Sequence, residues 1–243
     1  MEAGIYKPKL SANALKLVAA VTMLIDHTGA ILFPKILWLR IVGRLAFPIY
    51  AFMVAQGCKY TRNGLRYFLS MFTLGVICQV VYSAAEGSDR LNILLTFSVS
   101  IALSLLLHGV KRAIYTQKWA KAALLGAGMA AAAMATYYVN LFVVFDYGFW
   151  GCMTPVIAGV FLQKEDAPLQ WKRADRNWVH VIMLAIPLIQ LSRIYYLQEY
   201  ALIALLPLLL YSGSRGKYRL KYAFYLFYPL HLALLYGISL LMQ

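Results

Sequence analysis

Two ionisable side chains, Asp26 and His27, are neighbours inside an apolar stretch of membrane-spanning length. The stretch covers residues 15–34 and reads LKLVAAVTMLIDHTGAILFP. A charged side chain near the centre of a membrane helix costs about 2.5 to 3.5 kcal/mol, so such residues usually face a bundle interior or a wet cavity. A carboxylate beside an imidazole can bind and pass a proton. Asp26 and His27 are therefore the first candidates for chemistry.

A second ionisable pair, Arg40 and Arg44, lies one helical turn apart in the next apolar stretch. If the first stretch runs outward and the second inward, Arg44 reaches about the depth of His27. One interpretation is a buried ion pair in which Asp26 neutralises an arginine and joins two helices. That pair alone leaves His27 and the second arginine unexplained, so we favour a functional role for the cluster as a whole.

Lys16 precedes His27 by eleven residues in the same stretch. At about 100° per residue the two side chains return to nearly one helix face, with Lys16 about 16 Å closer to the N-terminal end. Lys16 would then lie at the inner mouth of the groove that His27 lines. A lysine that snorkels to the membrane interface is the alternative.

The last apolar stretch places His231 two residues after Pro229. A proline inside a helix frees a backbone carbonyl and bends the helix, which is common where helices line cavities. Tyr225, Tyr228 and His231 are spaced by three and share a face. We expect Tyr228 and His231 in the cavity wall, although a buried histidine can also be a packing residue.

Neutral polar residues inside or at the rim of the apolar stretches are Gln56, Gln79 and Asn92. They fit interhelical hydrogen bonds and substrate contacts equally well. His108 and His180, near inner helix ends, are given no role.

The composition of the chain indicates an integral membrane protein. Of its 243 residues 62% are hydrophobic and 13% charged, far from the balance of a soluble domain. The net charge of +14 could suggest nucleic acid, but basic residues of polytopic proteins collect in cytoplasmic loops, so nucleic-acid binding is not expected. Cys58, Cys78 and Cys152 lack metal-ligand spacing, and we expect neither a metal nor a disulfide. The first apolar run lacks a small-residue cleavage site and is expected to be a true span.

Apolar runs predict an all-α bundle of about nine spans, forming one domain over residues 1–243. The predicted spans are 14–33, 36–57, 66–84, 91–109, 120–139, 147–162, 178–194, 196–212 and 220–241.

Lysine and arginine alternate between the connections of these nine spans, as the positive-inside rule requires. The outer connections hold only Lys35, Arg90 and Arg193. The basic residues of the inner segments are Lys7, Lys9, Lys59, Arg62, Arg66, Lys111, Arg112, Lys118, Lys121, Lys164, Lys172, Arg173, Arg176, Arg215, Lys217, Arg219 and Lys221. The pattern predicts a cytoplasmic N-terminus and an outer C-terminus.

Four stretches of the sequence together resemble the TraX family of membrane proteins. They are LKLVAAVTMLIDHTGAILFP, RIVGRLAFPIYAFMVAQGCKYTRN, LNILLTF and FYLFYPLHL. The resemblance implies a multi-pass acyltransferase of the bacterial cytoplasmic membrane that takes acetyl groups from cytoplasmic acetyl-CoA. The namesake of the family acetylates the N-terminus of a conjugative pilin. The sequence departs from the family pattern at Gln56 and Gln79, where many members carry Glu.

The predicted site follows from joining the residues to that resemblance. Lys16, and Arg62 in a loop, would bind the phosphates of acetyl-CoA. His27 would act as general base, with Asp26 or an acceptor group orienting it and Arg44 stabilising the oxyanion. Related acyltransferases carry an arginine eleven residues before this histidine, a position that is Lys16 here. Direct transfer and an acetyl-His27 intermediate both remain open.

Two other functions fit the same residues. In a proton-coupled transporter the cluster would be a proton relay, although no inverted repeat is visible. In a non-catalytic assembly factor for a pilus or secretion system the cluster would be structural. The acceptor could be a peptide N-terminus, a glycan or a lipid.

Overall fold

The computed structural model describes residues 10–86, 90–218 and 220–242, and these residues form helices and no strand. Lys7, Lys9 and Arg219 lie outside this part. The helices are α1 (Ala12–Ile31), α2 (Leu37–Gly43), α3 (Ala46–Tyr60), α4 (Gly64–Glu86), α5 (Ile93–Tyr115), α6 (Trp119–Phe142), α7 (Gly148–Ala158), α8 (Leu169–Lys172), α9 (Asn177–Ile194), a 3₁₀ helix (Tyr196–Ala204) that continues as α10 (Leu205–Leu209), and α11 (Lys221–Leu241).

Seven helical segments in the described ranges are long and apolar enough to cross a membrane. They are Ala12–Ile31, Leu37–Tyr60, Gly64–Ser83, Ile93–Tyr115, Trp119–Phe142, Asn177–Ile194 and Ala223–Leu241. The two other predicted spans, 147–162 and 196–212, are helical but shorter, as Gly148–Ala158 and Tyr196–Leu209. The all-helical membrane fold is therefore confirmed.

The short helix α7 runs beside α5 along most of its length. At one end the Thr96 hydroxyl donates to the Asp146 carbonyl at 3.3 Å. At the other end Lys111 donates to the carbonyls of Gly159 at 3.0 Å and Leu162 at 2.9 Å. The distance from Thr96 to Lys111 along α5 is about 22 Å. The chain from Asp146 to Leu162 therefore covers that distance as well.

The second short segment, Tyr196–Leu209, begins where α9 ends and returns to where α9 begins. Asn177, the first residue of α9, donates to the carbonyls of Leu208 at 2.8 Å and Leu209 at 3.1 Å. A 3₁₀ helix rises about 2.0 Å per residue against 1.5 Å in an α-helix, so this segment is about 25 Å long. Its 3₁₀ conformation explains how so few residues match the length of α9.

The predicted span 36–57 is broken between α2 and α3 at Arg44. Pro48 has no N–H to donate to the Arg44 carbonyl, and its ring crowds that same carbonyl, so the regular helical hydrogen bonds are interrupted here. The break also brings α2 against α1, where Gly43 faces Asp26 so closely that a Cβ would overlap it. Glycine is therefore required at this crossing.

Candidate functional site

A cavity of about 660 Å³ lies between α1, α3, α4, α5 and α11. From α1 it is lined by Ala12, Asn13, Lys16 and Met23, and Ala12, Lys16 and Met23 share one face of the helix. Gln56 and Tyr228, both buried and both expected from the sequence, also lie in its wall. The wall is mainly apolar, with polar groups concentrated toward one end.

The polar end of the cavity carries Lys16 and Arg215. Arg215 belongs to a loop held on the start of α1, where the backbone N–H of Asn13 donates to the Arg215 carbonyl at 3.1 Å. The loop turns at Gly216, whose φ of +96° favours glycine. Lys16 Nζ lies 5.9 Å from the centre of the Phe224 ring, across the mouth. This end is suited to a multiply charged anion.

From the sequence, Arg215 is one of the basic inner residues, but its position at the mouth of a cavity was not predicted. It expected Arg62 at this mouth instead, and the structure places Arg62 on the exposed surface, next to Thr61, which lines the cavity. Arg215 reaches the cavity because of how the 212–218 loop folds, and no feature of the sequence distinguishes it from the basic residues nearby.

The other end of the cavity is apolar, and a pair of histidines packs beyond the wall residues Met23 and Tyr228. Met23 precedes His27 by one turn of α1, and Tyr228 meets the His231 ring edge-on with ring centres 5.7 Å apart. His27 Nδ1 and His231 Nε2 are 2.7 Å apart, within hydrogen-bond distance. The sequence placed both histidines near mid-span but gave no sign that α1 and α11 pack together. Met23 and Tyr228 line the cavity, whereas neither His27 nor His231, both expected there from the sequence, belongs to its described wall.

Asp26 is closed into an ion-pair network beside this end. Arg44 Nη2 contacts its two carboxylate oxygens at 2.5 and 2.7 Å, and Arg40 Nη1 lies 3.1 Å from Oδ2. Arg44 also donates to the Arg40 carbonyl at 3.1 Å and toward the Tyr147 hydroxyl at 3.5 Å.

The geometry favours the ion-pair interpretation of Asp26 and Arg44. Both residues are 8% exposed, and neither they nor Arg40 belong to the described cavity wall. With both carboxylate oxygens bound by guanidinium groups, Asp26 joins α1 to α2 and to the start of α3. The predicted roles of Asp26 in orienting His27 and of Arg44 as oxyanion donor gain no support from this arrangement.

Of the two interpretations left open for Asn92, the structure favours interhelical hydrogen bonds over substrate contacts. It is fully buried and caps α5, accepting from the backbone N–H of Leu94 at 3.0 Å. Its amide donates to the Gly75 carbonyl at 2.8 Å and to Gln79 Oε1 at 2.9 Å. Because these bonds fix the α4–α5 connection, Asn92 and Gln79 are structural here.

A second charged cluster lies at the start of α9, away from this cavity. The Asp175 carboxylate accepts from Lys59 at 2.7 Å, from His180 Nε2 at 2.8 Å and from the Gln163 backbone at 3.2 Å. Burial alone would raise the pKa of Asp175, but these donors outweigh it and lower the pKa. The cluster fastens the 163–177 loop to the end of α3.

Within the described ranges, no group of three or more His, Cys, Asp or Glu residues is placed so that it could hold a metal ion. Cys58, Cys78 and Cys152 are free and buried.

Fold and site together define a helical membrane protein with an internal cavity that is cationic at its mouth, and with a buried histidine pair outside the wall of that cavity. Comparison with known proteins adds a family: the TraX protein family model matches residues 11–239, so the chain belongs to the TraX family.

Two relatives are similar at the sequence level. One is the "Probable fimbrial assembly protein FimC, serogroup H1" of Dichelobacter nodosus, 27% identical over 250 residues, with 96% of this chain and 97% of that protein covered. The other is the "Uncharacterized protein RP591" of Rickettsia prowazekii (strain Madrid E), 45% identical over 40 residues and 16% of each chain. No solved structure matches.

Proposed function

We propose that this protein is an integral-membrane acetyltransferase that transfers an acetyl group from cytoplasmic acetyl-CoA to an acceptor amine or hydroxyl. The observation that carries the proposal is the cavity, with Lys16 and Arg215 at one end and the His27–His231 pair behind the other. Such a cavity separates a binding site for phosphates from a site of proton transfer, as a long thioester donor requires.

The donor would enter from the basic end. Its phosphorylated head would remain near Lys16 and Arg215, because ammonium and guanidinium groups bind phosphate by charge and hydrogen bonding. Its pantetheine arm would extend along α1 past the apolar wall toward Met23. From the level of Ala12 to that of His27 the helix rises about 22 Å, so the path suits an extended molecule.

The reaction itself would use His27 as general base. The acceptor N–H or O–H loses its proton to His27 as its nitrogen or oxygen attacks the thioester carbonyl. The carbon–sulfur bond then breaks, and the coenzyme A thiolate takes up the proton. Direct transfer and an acetyl-His27 intermediate use the same residue and remain alternatives.

The proposed orientation is nine crossings with the N-terminus in the cytoplasm. The contacts of Asp146–Leu162 along α5, and of Leu208 and Leu209 with Asn177, support counting both short segments as crossings. That count leaves the basic connections, including 163–176, on one side of the membrane. It is the side at which Lys16 and Arg215 open the cavity.

The acceptor is proposed to be a peptide N-terminus of a fimbrial or pilus subunit. The printed name of the Dichelobacter nodosus relative concerns fimbrial assembly. Acetyl transfer to an assembly component is compatible with that name. Glycan and lipid acceptors are the other classes that the same chemistry serves.

A non-catalytic assembly factor is the second candidate function. The same relative's name favours it, and so does the closed Asp26–Arg44 ion pair, which is sufficient as a structural contact. Such a factor would have no use for acetyl-CoA. A proton-coupled transporter, the third class considered, would also not bind that donor.

Transfer of radiolabelled acetyl groups tests the proposal. Membranes from native cells carrying the wild-type or the His27→Ala protein are supplied with labelled acetyl-CoA, and label is followed in protein, lipid and glycan fractions. We expect His27→Ala to lose label transfer by about 10² to 10⁴-fold, the usual contribution of a general base, while thermal unfolding stays near wild type. Equal transfer by both proteins would exclude His27 as the base.

A further inference from the structure

His231 binds a different partner through each ring nitrogen. Nδ1 lies 2.7 Å from the carbonyl oxygen of Phe227, and Nε2 lies 2.7 Å from Nδ1 of His27. The ring stacks on Phe227 with centres 4.6 Å apart and meets Tyr228 edge-on. The residue is 4% exposed. Packing and hydrogen bonds therefore fix the orientation of this imidazole.

These contacts determine the positions of the protons when both rings are neutral. A carbonyl oxygen only accepts, so Nδ1 of His231 carries the hydrogen that is donated to Phe227. A neutral imidazole has one N–H, so Nε2 of His231 is an acceptor and Nδ1 of His27 donates to it. The lone pair of His27 is then on Nε2.

We propose that His231 is a positioning residue for acetyl transfer, because it holds His27 in the tautomer whose Nε2 accepts the proton. The inference rests on the proposed function, in which His27 is the general base. It adds to the site a second histidine, which lies on α11, a helix whose packing against α1 the sequence does not predict. It also identifies Nε2 as the reacting nitrogen of His27.

The pair would act in one proton cycle. The acceptor's proton passes to Nε2 of His27 as the new carbon–nitrogen or carbon–oxygen bond forms. The His27 imidazolium then donates through Nδ1 to Nε2 of His231, and such a charge-assisted bond is roughly twice as strong as a neutral one. When the carbon–sulfur bond breaks, Nε2 returns the proton to the thiolate, and both rings are neutral again. His231 thus stabilises the charged state more than the donor complex.

The test compares substitutions that keep or remove the acceptor for His27. His231→Leu removes it, and we expect kcat to fall about 10²-fold while KM for acetyl-CoA changes less than about 2-fold. His231→Gln can place its side-chain carbonyl near the former Nε2 and should recover kcat by about 10-fold. His108→Leu, a change to a histidine near Lys111 and Asp166 at the far end of α5, should behave like wild type.

Each outcome bears on a different part of the account. Wild-type kcat in His231→Leu, with His27→Ala inactive, would overturn the positioning role and leave the proposed function intact. A raised KM with unchanged kcat would make His231 a donor-binding residue, which also overturns it. If wild-type protein transfers no acetyl group, the proposed function fails, and this inference fails with it.

A folding defect in His231→Leu would not prevent the test. His231→Asn keeps an N–H near the former Nδ1 for Phe227 but has no atom at the former Nε2. If His231→Leu does not fold, His231→Gln is compared with His231→Asn instead. We expect a kcat about 10-fold higher for Gln than for Asn, and equal kcat values would contradict the proposal.

Discussion

Asp26 shows how a single buried charge constrains this bundle. Its carboxylate is bound by Arg44 and Arg40, and the Asp26–Arg44 contact is almost entirely buried. Removing one partner of a buried ion pair leaves an uncompensated charge, which is far more costly than losing an exposed pair. The stability of the α1–α2 contact should therefore depend on this carboxylate.

Asp26→Asn tests that dependence because it keeps the shape of the side chain and removes its charge. We expect the free energy of unfolding in detergent to fall by about 3 to 5 kcal/mol. Asp166→Asn is the matched control, since Asp166 forms an exposed ion pair with Arg112 at 3.5 Å and should change the same quantity by less than about 1 kcal/mol. Similar losses in both variants would contradict the network described here.

The ion pairs of Asp175 should make the stability of the protein depend on pH in the acidic range. Its pKa is lowered in the folded state, so its contribution is present above the unfolded value of about 3.9 and is lost as pH falls through the folded value. The wild type should therefore lose thermal stability below about pH 5 more steeply than Asp175→Asn does. Parallel pH curves for the two proteins would show that the contacts with Lys59 and His180 contribute nothing.

At the residue scale, the sequence identified side chains better than their partners. Asp26, His27, Arg40 and Arg44 stand out because ionisable groups are rare in apolar stretches. Helical geometry also puts Lys16 and His27 on one face. The bond between His27 and His231 depends on which helices are neighbours, and periodicity within single helices carries no information on that.

At the element scale, α1 and α2 approach each other more closely than any other pair of helices that contributes residues to the site. A Cβ at Gly43 would overlap Asp26, and a Cβ at Gly29 would lie 2.7 Å from Leu39 Cβ. In contrast, nothing lies within 4 Å of a Cβ at Gly126 in α6. These helical glycines provide a matched comparison.

Gly43→Ala should destabilise the protein by about 1 to 3 kcal/mol, because overpacking forces α1 and α2 apart and disturbs the Asp26 ion pairs. Gly126→Ala should be neutral or stabilising by up to about 1 kcal/mol, since alanine favours the helix and meets no neighbour. Thermal unfolding of both variants in the same detergent measures the difference. A stable Gly43→Ala protein would mean that this crossing tolerates separation.

At the element scale the sequence predicted each apolar helix but not its internal form. The break at Arg44 has a visible cause in Pro48, yet Pro229 lies within a helix that continues from Lys221 to Leu241. A proline thus marks a possible break, and tertiary packing decides the result. The 3₁₀ conformation of Tyr196–Ala204 follows from the need to match the length of α9, which no local pattern encodes.

The whole molecule has a topology that cysteine labelling can test, because Cys58, Cys78 and Cys152 are all buried. Nine crossings put Glu165 in the cytoplasm and Tyr196 outside. In intact cells a membrane-impermeant maleimide should label Tyr196→Cys and spare Glu165→Cys until the membrane is permeabilised. If instead α7 and Tyr196–Leu209 do not cross, labelling of Glu165→Cys in intact cells would reveal it.

Binding of coenzyme A in the basic-mouthed cavity is the basis of the proposed function. Thermal stabilisation of the purified protein by coenzyme A tests this binding without knowledge of the acceptor. We expect a rise in the unfolding temperature of the wild type and of His27→Ala. The rise should be lost when Lys16→Gln and Arg215→Gln are combined, because both cations line the mouth. Absence of stabilisation in the wild type, or an undiminished rise in the double variant, would contradict the account.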